Sequence, residues 1–298
     1  MPIVSFVITF REALEAALIV GIVAAYLKKV GRSEANRYLY LGTSLAVASS
    51  VALAWLLQAI YGGLSGPYES LFEGATGLAA AGFLTYMIFW MTRNARKIRG
   101  NLERKLDTSL TGGQLLSVAA IAFVAVFREG IETVLLLTAI FFIDPSGTAS
   151  GILLGLAAVG IAAVLIMRGS YRMNLHRFFK YTSVVLLVFA AGLVGFAAHE
   201  LSETAENLGF NLGVMRQQAF NVNLAPSSIF HEEGALGSLL SALFGYTLSP
   251  EWIRLGVYLA YWLVIGGYLI LAYRNISTRV VRPLRLRSAA YTSTSEHA

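Results

Sequence analysis

The chain of 298 residues is 56% hydrophobic and only 13% charged, with a mean hydropathy of +0.65. It is therefore far more apolar than a soluble domain and is typical of a helical membrane domain. The absence of cysteine excludes disulfides, thiolate metal sites and thiol catalysis. A net charge of +6 would suit a nucleic-acid-binding protein, but the distribution of the basic residues argues against that function.

Seven apolar runs are long enough to cross a bilayer as helices, and the sequence therefore predicts an all-α polytopic membrane protein with seven transmembrane helices. The first run begins without a basic n-region or a small-residue cleavage site, so we expect a retained helix and not a signal peptide. The runs lie at about 3–27, 38–61, 68–92, 114–142, 149–167, 180–200 and 252–273.

Lysine and arginine residues concentrate in alternate connections between these runs. Four lie in 28–37, six in 93–105, four in 168–180 and five in 274–287. The positive-inside rule then predicts an N-terminus outside and a C-terminus in the cytoplasm of a protein in the plasma membrane, or in the inner membrane of a bacterium. We interpret the basic excess as a signal of topology and of contact with the lipid bilayer, and expect no nucleic acid partner.

The chain also contains an internal repeat. The segment 5–12 (SFVITFRE) is similar to 122–129 (AFVAVFRE), in the first and fourth runs. Because three spans make up each half, the halves would have opposite orientations, as in transporters built from inverted repeats. Within a single membrane domain, 1–298, we predict a first three-helix repeat at 1–92, a cytoplasmic linker at 93–113, a second repeat at 114–200, an extracytoplasmic segment at 201–251, a seventh helix at 252–273 and a cytoplasmic tail at 274–298.

Both copies of the repeat contain the motif Arg-Glu-x-x-Glu, which places six charged residues inside apolar helices. At roughly 2.5–3.5 kcal/mol for each charge at mid-membrane, exposing all six to lipid would cost about 15–20 kcal/mol, so they must face the interior. At 1.5 Å per residue both motifs lie about 13–20 Å below the outer ends of their helices, so they would meet at one depth. The motif residues are Arg11, Glu12 and Glu15 in the first copy and Arg128, Glu129 and Glu132 in the second.

Clustered carboxylates at mid-membrane are suited to binding a hard cation through oxygen. Arg11 and Arg128 would balance the charge and keep the carboxylates ionised. An inert salt bridge is the alternative, but two copies at one depth with excess glutamate disfavour it. The candidate metal ligands are Glu12, Glu15, Glu73, Glu129 and Glu132.

Three residues near the end of the sixth run, His199, Glu200 and Glu203, form a candidate site where the ion first enters. An ordinary polar helix end is the alternative. Paired intramembrane histidines for haem, a phosphate-binding loop and a Ser-His-Asp set are all absent from the sequence. We therefore expect no enzyme activity and no permanently bound cofactor.

At the two motifs the chain resembles the iron permease family, which includes the fungal high-affinity iron permease and the bacterial Efe-type ferrous iron permease. The hallmark of that family is Arg-Glu-x-x-Glu in spans one and four of a seven-span bundle. Phe72-Glu73-Gly74 and His199-Glu200 are also similar to bacterial members. Ala13 departs from the family pattern, since glycine often stands there, as Gly130 does in the second copy.

The resemblance implies that the protein imports iron across the plasma membrane, with the motif glutamates as ligands and iron, as Fe³⁺ or Fe²⁺, as the substrate. It also implies an extracytoplasmic oxidase or another iron-donating partner. The residues alone indicate only a hard cation. A transporter or channel for Mn²⁺ or protons therefore remains open, as does a membrane receptor that binds metal without transporting it.

Overall fold

The structure is a computed structural model that describes residues 2–94, 104, 115–167, 175–225, 227–232 and 234–268. Within these ranges the chain is helical, and β-structure is limited to an isolated bridge between Gln218 and Glu251. The helices are α1 (Pro2–Lys29), α2 (Asn36–Tyr61), α3 (Pro67–Asn94), α4 (Leu115–Ile143), α5 (Pro145–Met167), α6 (Leu175–Asn207), α7 (Ala235–Phe244) and α8 (252–268).

The helix boundaries follow local chemistry. Helices α3 and α5 both begin at a proline, in the first helical position, where the missing backbone N–H costs nothing. Helix α1 ends before Gly31, whose φ of 72° is left-handed, and the amide of Arg32 donates to the carbonyl of Leu27 at 2.9 Å. Gly209, with φ of 92°, ends α6 in the same way.

The six long helices agree with the first six predicted runs to within a few residues at most ends. Helix α6 continues beyond residue 200 to Asn207, so the segment predicted to start at 201 begins inside a helix. That segment also contains the short helix α7. Most of the predicted linker at 93–113 and all of the predicted tail at 274–298 lie outside the described residues.

Four stretches are long and apolar enough to span a membrane by length and composition. They are Ser33–Tyr61, Pro67–Trp90, Pro145–Leu165 and Tyr181–Asn207. Helices α1 and α4 are comparably long, but each carries the three charged residues of a motif near its middle. Helices α1 and α4 are therefore absent from these four stretches because of their motif charges and not because they are too short.

Helices pack in three main pairs: α1 with α5, α2 with α4, and α3 with α6. Helices α1 and α4 also contact one another, and α3 contacts α4. The larger apolar core lies where α1, α3, α4 and α6 meet, with Ile8, Leu84, Leu136 and Leu193 all completely buried. Helix α1 is therefore enclosed together with α4.

Small residues allow the paired helices to approach closely. Gly151 and Gly155 of α5 face Ser5 and Thr9 of α1, and a Cβ atom on Gly155 would lie 2.8 Å from the Cβ of Thr9. On the other side, Gly42 of α2 lies against the backbone of α4. This is the small-residue packing that brings membrane helices into backbone contact.

We expect Gly155→Ala to destabilise the protein and Gly160→Ala not to do so. Alanine is the better helix former by about 1 kcal/mol at both positions, but overpacking costs about 1–3 kcal/mol where there is no room. A Cβ atom on Gly160 of the same helix meets nothing within 4 Å. Thermal unfolding of the two variants in detergent measures the difference, and a Gly155→Ala melting temperature at or above that of Gly160→Ala would contradict the packing described.

Candidate functional site

The contact between α1 and α4 brings carboxylates from the two motifs together. Carboxylate oxygens of Glu12, Glu15 and Glu129 all lie within 4.8 Å of one another. Glu132 lies beside this group, close enough for its charge to act on that of Glu12. The predicted meeting of the two motifs is therefore present in the structure.

These carboxylates are buried with few hydrogen-bond donors. Glu12 and Glu132 are completely buried and Glu129 is 5% exposed, whereas the side chain of Glu15 is 14% exposed. Both oxygens of Glu12, and Oε2 of Glu129 and of Glu132, accept no hydrogen bond from the described part of the chain. Buried acceptors normally have a partner, and leaving one without it costs about 1–3 kcal/mol or more for a charged group. Four such oxygens at one place indicate a site that a cation would complete.

The motif arginines bind the carboxylates in the same way in both copies. Arg11 Nε donates to Glu15 Oε1 at 3.1 Å, and Arg128 Nε donates to Glu132 Oε1 at 2.8 Å. Arg11 Nη1 also lies 3.6 Å from Glu12 Oε1. Each arginine therefore uses Nε to hold the glutamate four residues later by a single oxygen.

The surroundings of the two arginines differ, although both touch α3. Arg11 is completely buried, and its Nη2 donates to the sulfur of Met87 at 2.6 Å. The side chain of Arg128 is 40% exposed, and its guanidinium lies 4.6 Å from the centre of the Trp90 ring. Neither contact was predicted from the sequence. The three-residue spacing of Met87 and Trp90 places them on one face of α3 and is the signal that could have paired them.

Glu12 and Glu129 also line a large cavity between α1, α2, α4 and α5, with a volume of about 1140 Å³. Its walls are mainly small and apolar, with hydroxyls from Thr9 and Thr133 near the carboxylates. The cavity continues along α1 to Lys29, at the basic end of that helix. The cavity therefore connects the carboxylates with the basic end of α1.

Glu73 lies apart from the three clustered carboxylates. Its Oε1 accepts a hydrogen bond from the hydroxyl of Tyr61 at 2.7 Å, and the same hydroxyl donates to Glu69 Oε1 at 3.2 Å. The charge of Glu73 interacts with those of Glu69 and Glu203. Glu73 therefore belongs to a second acidic group, near the beginning of α3.

Of the three residues proposed to receive the ion, His199 and Glu203 are part of an ion-pair network. Arg216 lies at its centre, 2.9 Å from Glu251 and 3.8 Å from Glu203. His199 Nδ1 is 3.1 Å from Glu251, and its Nε2 is 3.9 Å from Glu203. Glu200 instead interacts electrostatically with Glu73 and Glu203.

Arg216 and Glu251 were not among the predicted site residues. The signal available was Arg216 itself, the single lysine or arginine in the predicted outer segment 201–251, which is rich in glutamate. Burial by itself would lower the pKa of Arg216, but its hydrogen bonds and ion pairs with Glu206 and Glu251 outweigh burial and raise that pKa above its ordinary value. Arg216 therefore stays positively charged and holds the segment after α6 against that helix.

Comparison with known proteins agrees with the geometry. Residues 3–277 match the iron permease FTR1 family. An uncharacterised protein of Archaeoglobus fulgidus is 41% identical over 273 residues, which cover 92% of this chain and 96% of that protein. No solved structure matches the chain.

Two further relatives are ferrous iron permeases named EfeU. The protein from Yersinia pestis is 32% identical over 266 residues, covering 87% of this chain and 89% of the relative. The protein from Escherichia coli O6:K15:H31 is 33% identical over 261 residues, covering 87% and 91%. Together with the long apolar helices and the two buried motifs, the match over nearly the whole chain shows that this multi-pass membrane protein belongs to the iron permease family.

Proposed function

We propose that this permease imports iron by binding the ion between the carboxylates of Glu12, Glu15, Glu129 and Glu132, with Arg11 and Arg128 balancing part of their charge. The observation that carries the proposal is the set of four buried carboxylate oxygens without a hydrogen-bond donor. Hard cations hold oxygen ligands at about 2.0–2.6 Å, so opposite ligand atoms stand roughly 4–5 Å apart. The 4.8 Å spread of the carboxylate oxygens is close to that separation.

The charge of the site favours Fe²⁺. With every group ionised, the four carboxylates and two guanidiniums carry a net charge of −2, which a divalent ion neutralises. Glu73 would have made the sum −3, but its hydroxyl partner and acidic neighbours place it in the other group. The names of the relatives, which are called ferrous iron permeases, support the same ion.

We propose the predicted inverted repeat as the architecture around the site. In this repeat α1, α2 and α3 correspond to α4, α5 and α6. Exchanging corresponding helices turns the α1–α5 pair into the α4–α2 pair and maps the α3–α6 pair onto itself. The three main contacts of the structure have this pattern. With the N-terminus outside and helix 252–273 as the seventh span, the cavity that runs to Lys29 would lead to the cytoplasm.

In this topology the second acidic group lies at the outer face. Glu69, Glu73 and Glu200 would attract cations and raise their local concentration above the buried site. An extracytoplasmic iron-donating partner would deliver Fe²⁺ there, and an oxidase does not suit this step, because its product is Fe³⁺. The family is one of permeases, which move ions, and we propose neither catalysis nor a permanently bound cofactor for this chain.

We expect Glu15→Gln and Glu132→Gln to reduce iron uptake into proteoliposomes to background. Each change keeps the size of the side chain but removes a negative charge and an anionic ligand. The matched control is Glu34→Gln, because Glu34 is 53% exposed and far from either motif in sequence. Initial rates of radioactive iron entry measure the effect. Wild-type rates in both motif variants, in protein that is folded, would refute the ligand assignment.

The oxidation state of the transported ion can be tested in the same vesicles. We expect saturable entry of Fe²⁺ kept reduced with ascorbate, and little entry of Fe³⁺ offered as a chelate, because a −2 site leaves one charge of Fe³⁺ unbalanced. Faster saturable entry of Fe³⁺ would contradict the assignment from charge.

Glu73→Gln is expected to raise the KM for iron several-fold while the maximal rate stays within about a factor of two, because loss of this charge weakens capture and not the buried site. Glu206→Gln is the control, since Glu206 is 40% exposed and pairs with Arg216. Uptake kinetics over a range of iron concentrations separate the two parameters. A maximal rate at background in Glu73→Gln would instead make Glu73 a ligand of the buried site.

A further inference from the structure

We propose that Met87 and Trp90 of α3 are positioning residues that hold Nη2 of Arg11 and the guanidinium of Arg128, so that motif carboxylate oxygens remain open to the ion. This inference rests on the proposed role of those carboxylates as iron ligands. It concerns a helix that contributes no residue to the Arg-Glu-x-x-Glu motifs.

The first contact lies in the fully buried part of the site. Arg11, Met87 and Glu12 are each completely buried. Arg11 uses Nε for Glu15 and Nη2 for the sulfur of Met87. A thioether sulfur is only a weak acceptor, yet here it occupies a nitrogen that could otherwise turn toward a carboxylate. Both oxygens of Glu12 remain without a hydrogen-bond donor among the described residues.

The second contact has different chemistry and the same effect. The guanidinium of Arg128 lies 4.6 Å from the centre of the Trp90 ring, within the range of a cation–π interaction. Its Nε reaches Glu132 Oε1 at 2.8 Å, while Glu132 Oε2 has no hydrogen-bond donor in the described ranges of the chain. Contact with the indole therefore holds the guanidinium beside α3 while its Nε bonds Glu132.

The alternative geometry would block the site. Arginine and a carboxylate often form two parallel hydrogen bonds, which engage both oxygens of the acid. In both motifs the arginine instead reaches the glutamate four residues later through Nε. Met87 and Trp90 are three residues apart, about one turn of α3, yet they hold arginines from different motif copies. One face of one helix thus keeps both motifs open to a ligand.

Uptake of Fe²⁺ by proteoliposomes containing the full chain tests the inference. For Trp90→Leu we expect a KM for iron about ten-fold above wild type, with a maximal rate within about two-fold, because the released guanidinium competes with the ion for Glu132. Trp90→Phe keeps an aromatic face and is expected to stay within about three-fold of the wild-type KM. Tyr86→Leu is the matched control, since Tyr86 is an aromatic residue of the same helix that is 60% exposed.

Met87→Leu provides a second test that conserves volume and removes only the sulfur acceptor. It is expected to raise the KM several-fold, and it decides the question alone if Trp90→Leu does not fold. A wild-type KM in Met87→Leu and in any folded Trp90→Leu overturns the inference. Equal losses of maximal rate in Trp90→Leu and Trp90→Phe, with unchanged KM, also overturn it, because they indicate packing alone. Normal uptake by Glu15→Gln and Glu132→Gln would instead reject the ligand assignment on which the inference depends.

Discussion

Negative charge buried between α1 and α4 governs how this helix bundle is built. Glu12, Glu129 and Glu132 lie inside an apolar helix bundle, where an uncompensated carboxylate is costly. The two arginines compensate only part of that charge, and several carboxylate oxygens have no donor in the described part of the chain. A salt-bridge network that served only stability would satisfy its own acceptors. A bound cation would supply the missing positive charge, which is the basis of the proposed ion site.

The helix packing holds that deficit in place. Glycines of α5 allow its backbone to lie against Ser5 and Thr9 of α1, one turn before the first motif. A glycine of α2 allows the same close approach to α4. These contacts fix the positions of α1 and α4 along their helix axes. Carboxylates that are more than one hundred residues apart in sequence therefore come within 4.8 Å of one another. Close helix packing therefore sets the geometry of the proposed ion site.

The two motif copies are alike in sequence but not in environment. Arg11 is completely buried against a thioether, whereas the side chain of Arg128 is 40% exposed and lies on an indole ring. Glu12 and Glu129 both line the large cavity, which links the site to the basic end of α1. The second acidic group, with Glu73 bonded to Tyr61, lies elsewhere. Separate acidic groups suit stepwise passage of an ion, with capture at one and tight binding at the other.

The positions of the helices and the contacts within each helix could be predicted from local sequence. Continuous apolar runs predict spanning helices, and three- and four-residue spacing places Arg11 beside Glu15, because both depend on local geometry. Only the tertiary structure decided which groups meet across helices. In the folded protein Glu129 lies beside the carboxylates of the first motif, and Glu73 lies apart from them, bonded to Tyr61. His199 contacts Arg216. Such partners depend on the packing of distant segments, which no local spacing encodes.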